Sequence, residues 1–175
     1  MVTKKIKNTV IRLEKGDITD MDIEAFVFYA RSDLELGSGY GTAILTRGGT
    51  NVRKELKNFG TLEVGQVAVT SAGEMKAKYI IHVVGPKFQE KDTETKLRTT
   101  MRNALKAAEE KGIQSIAFPP MGSGFYGVPP ELCATVMVSE IKKYLGNGSN
   151  IKEVVFCVLH TRDFNPLKAQ LEALG

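Results

Sequence analysis

Residues 118–130 read FPPMGSGFYGVPP, and the interpretation of the whole chain starts from this glycine-rich stretch. It follows the apolar run SIAF at 115–118 and precedes residues 130–145, in which apolar side chains recur at helical spacing. A glycine loop between a strand and a helix can hold an anion, because backbone N–H groups and the helix N-terminus point at the ligand. A tight turn accounts for the same residues equally well, so the rest of the sequence has to decide.

Secondary-structure patterns along the chain predict an α/β fold. Strands are expected at short runs rich in β-branched and aromatic residues, namely 9–13, 25–30, 66–70, 79–84, 115–118 and 153–159. Several of these runs are apolar throughout, which is typical of strands covered by helices on both faces. Helices are expected over 41–60 with a break at Gly48–Gly49, over 93–111, over 130–145 and from Pro166 to 174. The order predicts one domain, residues 1–175, with a three-layer α/β/α fold around a central mixed sheet.

Composition narrows the class of protein. The 175 residues carry 24 Lys and Arg against 20 Asp and Glu, a net charge of +4 that mildly favours anionic partners. No apolar run approaches the roughly 20 residues that span a bilayer, and the lysine-rich N-terminus lacks a secretory signal. We therefore expect a cytoplasmic location, no membrane partner and a solvated N-terminal end. The histidines and cysteines lack metal-ligand spacing, so neither a metal nor a cofactor is expected, and Cys133 and Cys157 lie in apolar runs typical of buried positions.

The glycine loop at 122–127 does not fit the common nucleotide-enzyme motifs. A dinucleotide-binding unit needs an acidic residue about 20 positions on, at the end of the next strand, but here that offset falls in a predicted helix near Glu140. There is no P-loop motif, and neither Ser38 nor Ser123 stands in a G-x-S-x-G pattern. A second glycine-rich stretch, GSGYG at 37–41, also lies between a predicted strand and a predicted helix, which favours a ligand site.

Motifs spread over most of the chain resemble those of macrodomains, the ADP-ribose-binding modules. GDIT at 16–19, IIHVVGP at 80–86 and SIAFPPMGSGFYG at 115–127 stand in the family's order. The resemblance implies that Asp17, with Ile18 beside it, accepts a hydrogen bond from the adenine amino group. It also implies that the two glycine loops close on the diphosphate and the distal ribose through Gly37, Ser38, Gly39, Tyr40, Gly122, Ser123, Gly124, Phe125 and Tyr126.

The chain departs from the family pattern at the residues that hydrolases of the family use for catalysis. The family's N-A-A-N after the second strand reads FYAR at 28–31, so Arg31 replaces the second asparagine. The Asp and His that hydrolases carry after the first glycine loop match Gly41 and Leu45, which cannot transfer a proton. Leu159 stands where many members stack an aromatic ring on the adenine. Nearby substitutes for that ring are His160 and Phe164.

From these residues we expect a protein that binds ADP-ribose or a closely related adenine nucleotide, with little or no ADP-ribosyl hydrolysis and no catalytic residue assigned. Arg31 either reaches an extra anionic group of the ligand, or it faces solvent or pairs with Asp33 or Asp20 in a degenerate pocket without ligand. An ADP-ribosyl or O-acetyl-ADP-ribose hydrolase, an ADP-ribose-1″-phosphatase and a binder of single-stranded or poly(A) RNA stay open as alternatives. An ADP-ribosylated protein is a further partner class. The lysines are too scattered for the basic stripe of an RNA site, so nucleic acid is not an expected partner.

Overall fold

The computed structural model describes residues 2–37 and 39–174, with all their side chains except that of Phe125. The described residues form seven strands: β1 Val2–Ile6, β2 Thr9–Lys15, β3 Ala25–Tyr29, β4 Val67–Ser71, β5 Tyr79–Val83, β6 Ser115–Phe118 and β7 Glu153–Val158. They also form five α-helices: α1 Tyr40–Gly48, α2 Thr50–Leu56, α3 Thr93–Glu110, α4 Pro130–Gly146 and α5 Thr161–Glu172. The predicted break at Gly48–Gly49 is confirmed as the junction of α1 and α2.

The strands form one mixed sheet in the order β1-β2-β7-β6-β3-β5-β4. The five central strands run parallel, whereas β1 and β4 pair antiparallel at the two edges. Helices α3, α4 and α5 cover one face, and α1 and α2 cover the other. The predicted three-layer α/β/α architecture with a mixed central sheet is confirmed.

Burial on both faces explains the uninterrupted apolar runs of the central strands. In β7, Val154, Phe156 and Val158 point into the core under α3, α4 and α5. Val155 and Cys157 point into the core under α1 and α2. Both faces therefore select apolar residues, and the strand loses the alternation of a half-exposed sheet. Both cysteines are buried and unpaired, as their apolar surroundings predicted.

The N-terminus departs from its prediction as a solvated end. Residues Val2–Ile6 form edge strand β1, which pairs with β2 from Val2 opposite Leu13 to Ile6 opposite Thr9. Val2 and Ile6 pack against the core, while Lys5 is exposed. Lysines are common on edge strands because their charge opposes pairing with a further chain. The prediction was wrong because β1 is stabilised by backbone hydrogen bonds to β2, and the lysine-rich sequence of residues 2–6 gives no local signal of this pairing.

Helix α5 also begins earlier than the sequence indicated. It starts at Thr161, so Pro166 lies inside the helix rather than at its first turn. Proline removes one intrahelical hydrogen bond at that position. Leu167 and Leu171 are buried in the core, and this packing stabilises the helix despite the lost bond. Among the described ranges, no helix is both long and apolar enough to cross a bilayer.

Candidate functional site

A cleft of about 710 Å³ opens at the carboxyl ends of the parallel strands. The segments that follow β3, β6 and β7 all contribute to its walls. Ligands bind in this position in open α/β sheets, because the loops between strands and helices meet there. The chain's two glycine loops and the first turn of α5 are thereby brought to one place.

The cleft gathers most of the predicted ligand contacts. Those that line it are Arg31, Gly37, Gly39, Tyr40, Gly122, Ser123, Tyr126 and Leu159. Asp17, Ile18 and Gly124 lie outside its lining, and the side chain of Ile18 is buried in the core. Ser38 and the side chain of Phe125 lie outside the described residues.

The first glycine loop leads directly into α1. Gly39 precedes this helix with a φ of 56° and a ψ of −129°, a conformation that residues with a Cβ avoid. The backbone at Gly39 can therefore face the cleft at the start of a helix, where N–H groups lack intrahelical partners. Burial raises the pKa of the Tyr40 phenol to about 12, so this cleft-lining hydroxyl remains protonated and can donate a hydrogen bond.

The second glycine loop is packed tightly and tied to α5. Gly122 has a φ of 87°, and a Cβ built there would lie 2.8 Å from Val128 and 3.1 Å from the Tyr29 hydroxyl. The Ser123 hydroxyl donates to the Asp163 carboxylate at 2.8 Å, and Asp163 itself is buried. Sequence reasoning did not single out Asp163 or its neighbour Arg162. Their one local signal is a pair of charged residues in the first turn of the helix that follows the last strand.

Asp17, the predicted adenine contact, is held firmly. It caps a single 3-10 turn over Ile18–Asp20, accepting from the Thr19 N–H at 2.9 Å and the Thr19 hydroxyl at 2.6 Å with one oxygen. Its other oxygen lies 3.1 Å from the Arg47 guanidinium. The side chain remains 39% exposed, so the Arg47-facing oxygen can still be approached from solvent.

Arg31 also lines the cleft, and its side chain is paired. Its guanidinium is 2.7 Å from Asp33, whose pKa is lowered by the backbone N–H of Glu35 and then by Arg31. Asp20, the other predicted partner, pairs instead with Arg47 and Lys76. Arg31 is therefore paired with Asp33, one of its two predicted partners, and it also lines the cleft.

Two aromatic rings that pack together also line the cleft. Tyr29 and Tyr126 pack with ring centroids 4.7 Å apart, and the buried Tyr29 hydroxyl donates to the carbonyl of Pro86. On the other face of the sheet, the Phe28 ring approaches Gly41. A Cβ at Gly41 would lie 3.5 Å from that ring and 3.1 Å from the backbone of Leu36. A side chain at Gly41 would therefore require the Leu36 backbone to shift by a few tenths of an ångström.

The carboxylates that line the cleft have partners among the described side chains. Asp33 pairs with Arg31, Glu35 lies 3.8 Å from Arg53, and Glu90 lies 3.3 Å from Lys96. Asp163 accepts from Ser123 as described above. Within residues 2–37 and 39–174, no group of three or more His, Cys, Asp or Glu side chains is placed to hold a metal ion.

His82 is buried and packs against Phe28, a residue that lines the cleft. Its ring meets Phe28 edge-on, with centroids 5.9 Å apart. Its Nε2 lies 2.9 Å from the Thr70 hydroxyl, whereas its Nδ1 has no hydrogen-bond partner among the described residues. Burial lowers the pKa of His82 from 6.5 to about 3, so the ring is neutral in the folded protein at ordinary pH.

We expect the buried His82 to make folding stability fall in acid. Above the unfolded pKa of 6.5 the ring is neutral in both states and stability is complete. Between pH 6.5 and about 3, His82 binds a proton in the unfolded chain but not in the folded chain. The free energy of unfolding therefore falls by up to about 1.4 kcal/mol per pH unit as the pH decreases. Urea unfolding of wild type and His82→Leu across this range measures the effect. The variant should show the shallower decline, and His160→Asn, at an exposed histidine, serves as the control. Equal slopes in wild type and His82→Leu would contradict the prediction.

Comparison with known protein families matches residues 29–137 to the Macro domain. An uncharacterised protein of Sulfurisphaera tokodaii is 41% identical over 160 residues, covering 89% of this chain and 87% of the relative. A macro domain-containing protein of Caldanaerobacter subterraneus is 37% identical over 170 residues, covering 94% and 97%. The ADP-ribose glycohydrolase MACROD2 of Xenopus laevis is 34% identical over 174 residues, which span 95% of this chain but 42% of that protein.

Solved structures agree with the family comparison. The Oceanobacillus iheyensis macrodomain with ADP superposes with a TM-score of 0.93 at 27% identity, covering 99% of this chain and 95% of the other. The Trypanosoma brucei macrodomain in complex with ADP-ribose gives a TM-score of 0.86 at 25% identity, covering 94% and 69%. Both neighbours match almost the full length of this chain, so the similarity includes the segments that form the cleft.

Proposed function

Because this chain belongs to the macrodomain family, we propose that it binds ADP-ribose or a closely related adenine nucleotide in the cleft between its two glycine loops. The observation that carries the proposal is the convergence of both loops on one cleft of about 710 Å³. This volume lies within the range of roughly 300–1,000 Å³ that small-molecule sites occupy. The neighbours of Oceanobacillus iheyensis and Trypanosoma brucei, with ADP and ADP-ribose respectively, support the same class of ligand.

The chemistry of the loops suits a diphosphate. Glycines at 37, 39 and 122 leave backbone N–H groups uncovered by side chains along the cleft wall. Hydrogen bonds from such groups to a charged oxygen contribute roughly 1.5–3 kcal/mol each. The N-terminus of α1 adds a partial positive charge beside Gly39. Together these features favour an anion held by the backbone rather than by a P-loop lysine.

We further propose that the bound nucleotide is not turned over at an appreciable rate. The Arg31 guanidinium has only N–H donors and no acceptor, so it cannot act as a base. Gly41 has no side chain that could transfer a proton, and a Cβ there would crowd the Leu36 backbone. The carboxylates around the cleft are paired with cations or hydrogen-bonded to Ser123, which disfavours proton abstraction. The similarity to MACROD2 favours the alternative, an ADP-ribosyl hydrolase, and an activity assay must therefore accompany the binding assay.

The distal end of the ligand is assigned to Arg31. This side chain is 58% exposed at the cleft and reaches Asp33 at 2.7 Å. A ligand phosphate offers the same bidentate geometry as the Asp33 carboxylate and a greater charge, so it can replace that partner. A nucleotide with an anionic group on its distal ribose should therefore bind more tightly than plain ADP-ribose.

Calorimetric titration with ADP-ribose, ADP, AMP and ADP-ribose-1″-phosphate tests the proposal. We expect ADP-ribose and ADP to bind, and ADP-ribose-1″-phosphate to bind most tightly. Arg31→Asn should abolish the preference for the distal phosphate while plain ADP still binds. Incubation with a mono-ADP-ribosylated protein should release little or no ADP-ribose. Robust wild-type turnover would refute the non-catalytic assignment, and absence of binding to all four ligands would refute the binding function.

Asp17→Asn tests the adenine end without removing the 3-10 cap. The remaining amide oxygen can still accept from Thr19, whereas the amide nitrogen would face the adenine amino group as a second donor. We expect adenine-nucleotide binding to weaken by about 1–3 kcal/mol, the cost of a buried donor without an acceptor. Asp20→Asn is the matched control, because Asp20 also pairs with Arg47 but is not a predicted adenine contact. Equal affinities for the two variants would place the adenine elsewhere.

A further inference from the structure

Arg162 stands beside the second glycine loop, in the first turn of α5. It lines the cleft, as do Leu159 and Ser123. Its guanidinium lies 3.6 Å from the position that a Cβ would occupy on Gly124. The side chain is 60% exposed. Arg162 therefore places an exposed positive charge in the cleft lining beside the second glycine loop.

The charge of Arg162 is only loosely compensated. Its partner Asp163 lies 3.8 Å away, close to the limit of an ion pair. The other Asp163 oxygen already accepts from Ser123 at 2.8 Å. Arg31, which also lines the cleft, is instead held by Asp33 at 2.7 Å. An anion that enters the cleft therefore displaces less from Arg162 than from Arg31.

The position of the neighbouring loop determines which part of a ligand Arg162 can reach. Ser123 ties the second loop to Asp163, so the backbone of this loop and the start of α5 form one wall. Backbone N–H groups of a glycine loop and a guanidinium at its rim approach the same phosphate from two directions. A planar guanidinium can hold two oxygens at once, one on each phosphate of a diphosphate.

We propose that Arg162 is a specificity-determining residue that binds the ligand's diphosphate from the α5 side of the cleft and favours nucleoside diphosphates over monophosphates. This inference rests on the proposed adenine-nucleotide function and adds a side-chain contact to the backbone contacts of the loops. Arg162 supplies the positive charge that neither glycine loop carries. The Ser123–Asp163 hydrogen bond positions the loop against it.

Arg162→Gln is the variant that tests the assignment, and Arg102→Gln is its matched control. Arg102 is 46% exposed and absent from the cleft lining, and its partner Glu140 at 3.6 Å also pairs with Arg98. Titrations of wild type and both variants with ADP and with AMP, each at low and high salt, give the affinities. Circular dichroism and thermal unfolding check that the exposed substitutions leave the fold intact.

We expect Arg162→Gln to weaken ADP binding at least tenfold and AMP binding much less, so that discrimination between the two nucleotides collapses. The salt dependence of ADP binding should also become shallower, because one cation no longer contacts the ligand. Arg102→Gln should behave as wild type. Wild-type ADP affinity and discrimination in Arg162→Gln would overturn this inference alone. Failure of the wild-type protein to bind either nucleotide would overturn the proposed function, and this inference with it.

Discussion

Gly37→Glu is expected to abolish nucleotide binding while the protein stays folded. Gly37 lines the cleft, and its backbone lies outside the left-handed region, so a side chain there adds no backbone strain. A Cβ at this position would lie 3.7 Å from the Arg31 guanidinium, an ordinary contact distance. The added carboxylate would place bulk and negative charge where the diphosphate and distal ribose are proposed to bind. We expect a loss of at least about 3 kcal/mol of binding free energy, or more than a hundredfold in affinity.

Titration with ADP-ribose, together with circular dichroism, measures this effect. Gly146→Glu is the control, because Gly146 ends α4, is exposed and has open space around a built Cβ. That variant adds the same charge far from the cleft and should bind as the wild type does. A Gly37→Glu protein with unchanged affinity would exclude the first glycine loop from the site.

Gly85→Ala is expected to destabilise the fold by about 3 kcal/mol or more, the upper range for overpacking a filled core. A Cβ at Gly85 would overlap the ring and hydroxyl of Tyr29 well inside van der Waals contact. Tyr29 cannot move aside, because it is buried, stacks on Tyr126 and donates to the Pro86 carbonyl. Since Gly85 does not adopt a left-handed φ, the loss reports packing rather than backbone strain.

A double-mutant cycle in urea unfolding separates this clash from other effects. In a Tyr29→Ala background the ring is absent, so Gly85→Ala should cost little, and the coupling energy should approach the full single-variant loss. Gly16→Ala is the matched control, because a Cβ there would lie 3.7 Å from the Cys157 sulfur, an ordinary contact. Equal costs of Gly85→Ala in both backgrounds would show that Tyr29 is not the obstacle.

The sequence was sufficient to predict the architecture and the position of both glycine loops between a strand and a helix. The apolar runs of β7 and its central neighbours predicted strands that are buried on both faces. Apolar residues at helical spacing predicted α3 and α4. Both glycine loops lie between a strand and a helix along the chain, so parallel strands necessarily bring them to one edge of the sheet. These predictions use only local patterns of residue type and spacing, which determine the secondary-structure elements and their order along the chain.

The partners of individual side chains were decided by the tertiary structure. The sequence offered both Asp33 and Asp20 as ion-pair partners for Arg31. In the structure Arg31 pairs with Asp33, whereas Asp20 pairs with Arg47 and Lys76. Arg162 carried no motif, and its importance arises only because α5 brings it against a loop that lies about 40 positions earlier. Strand β1 likewise depends on β2 for its hydrogen bonds.

Residue type and periodicity determined which segments are strands and helices, because propensity and burial pattern act within a few neighbouring residues. The tertiary structure alone decided that a side chain at Gly41 would crowd the Leu36 backbone and that Gly85 must leave space for the Tyr29 ring. Such contacts depend on how the whole chain packs, at separations where a few tenths of an ångström change the energy. The chain's periodicity therefore predicted the fold, whereas close packing decided how individual side chains are arranged around the cleft.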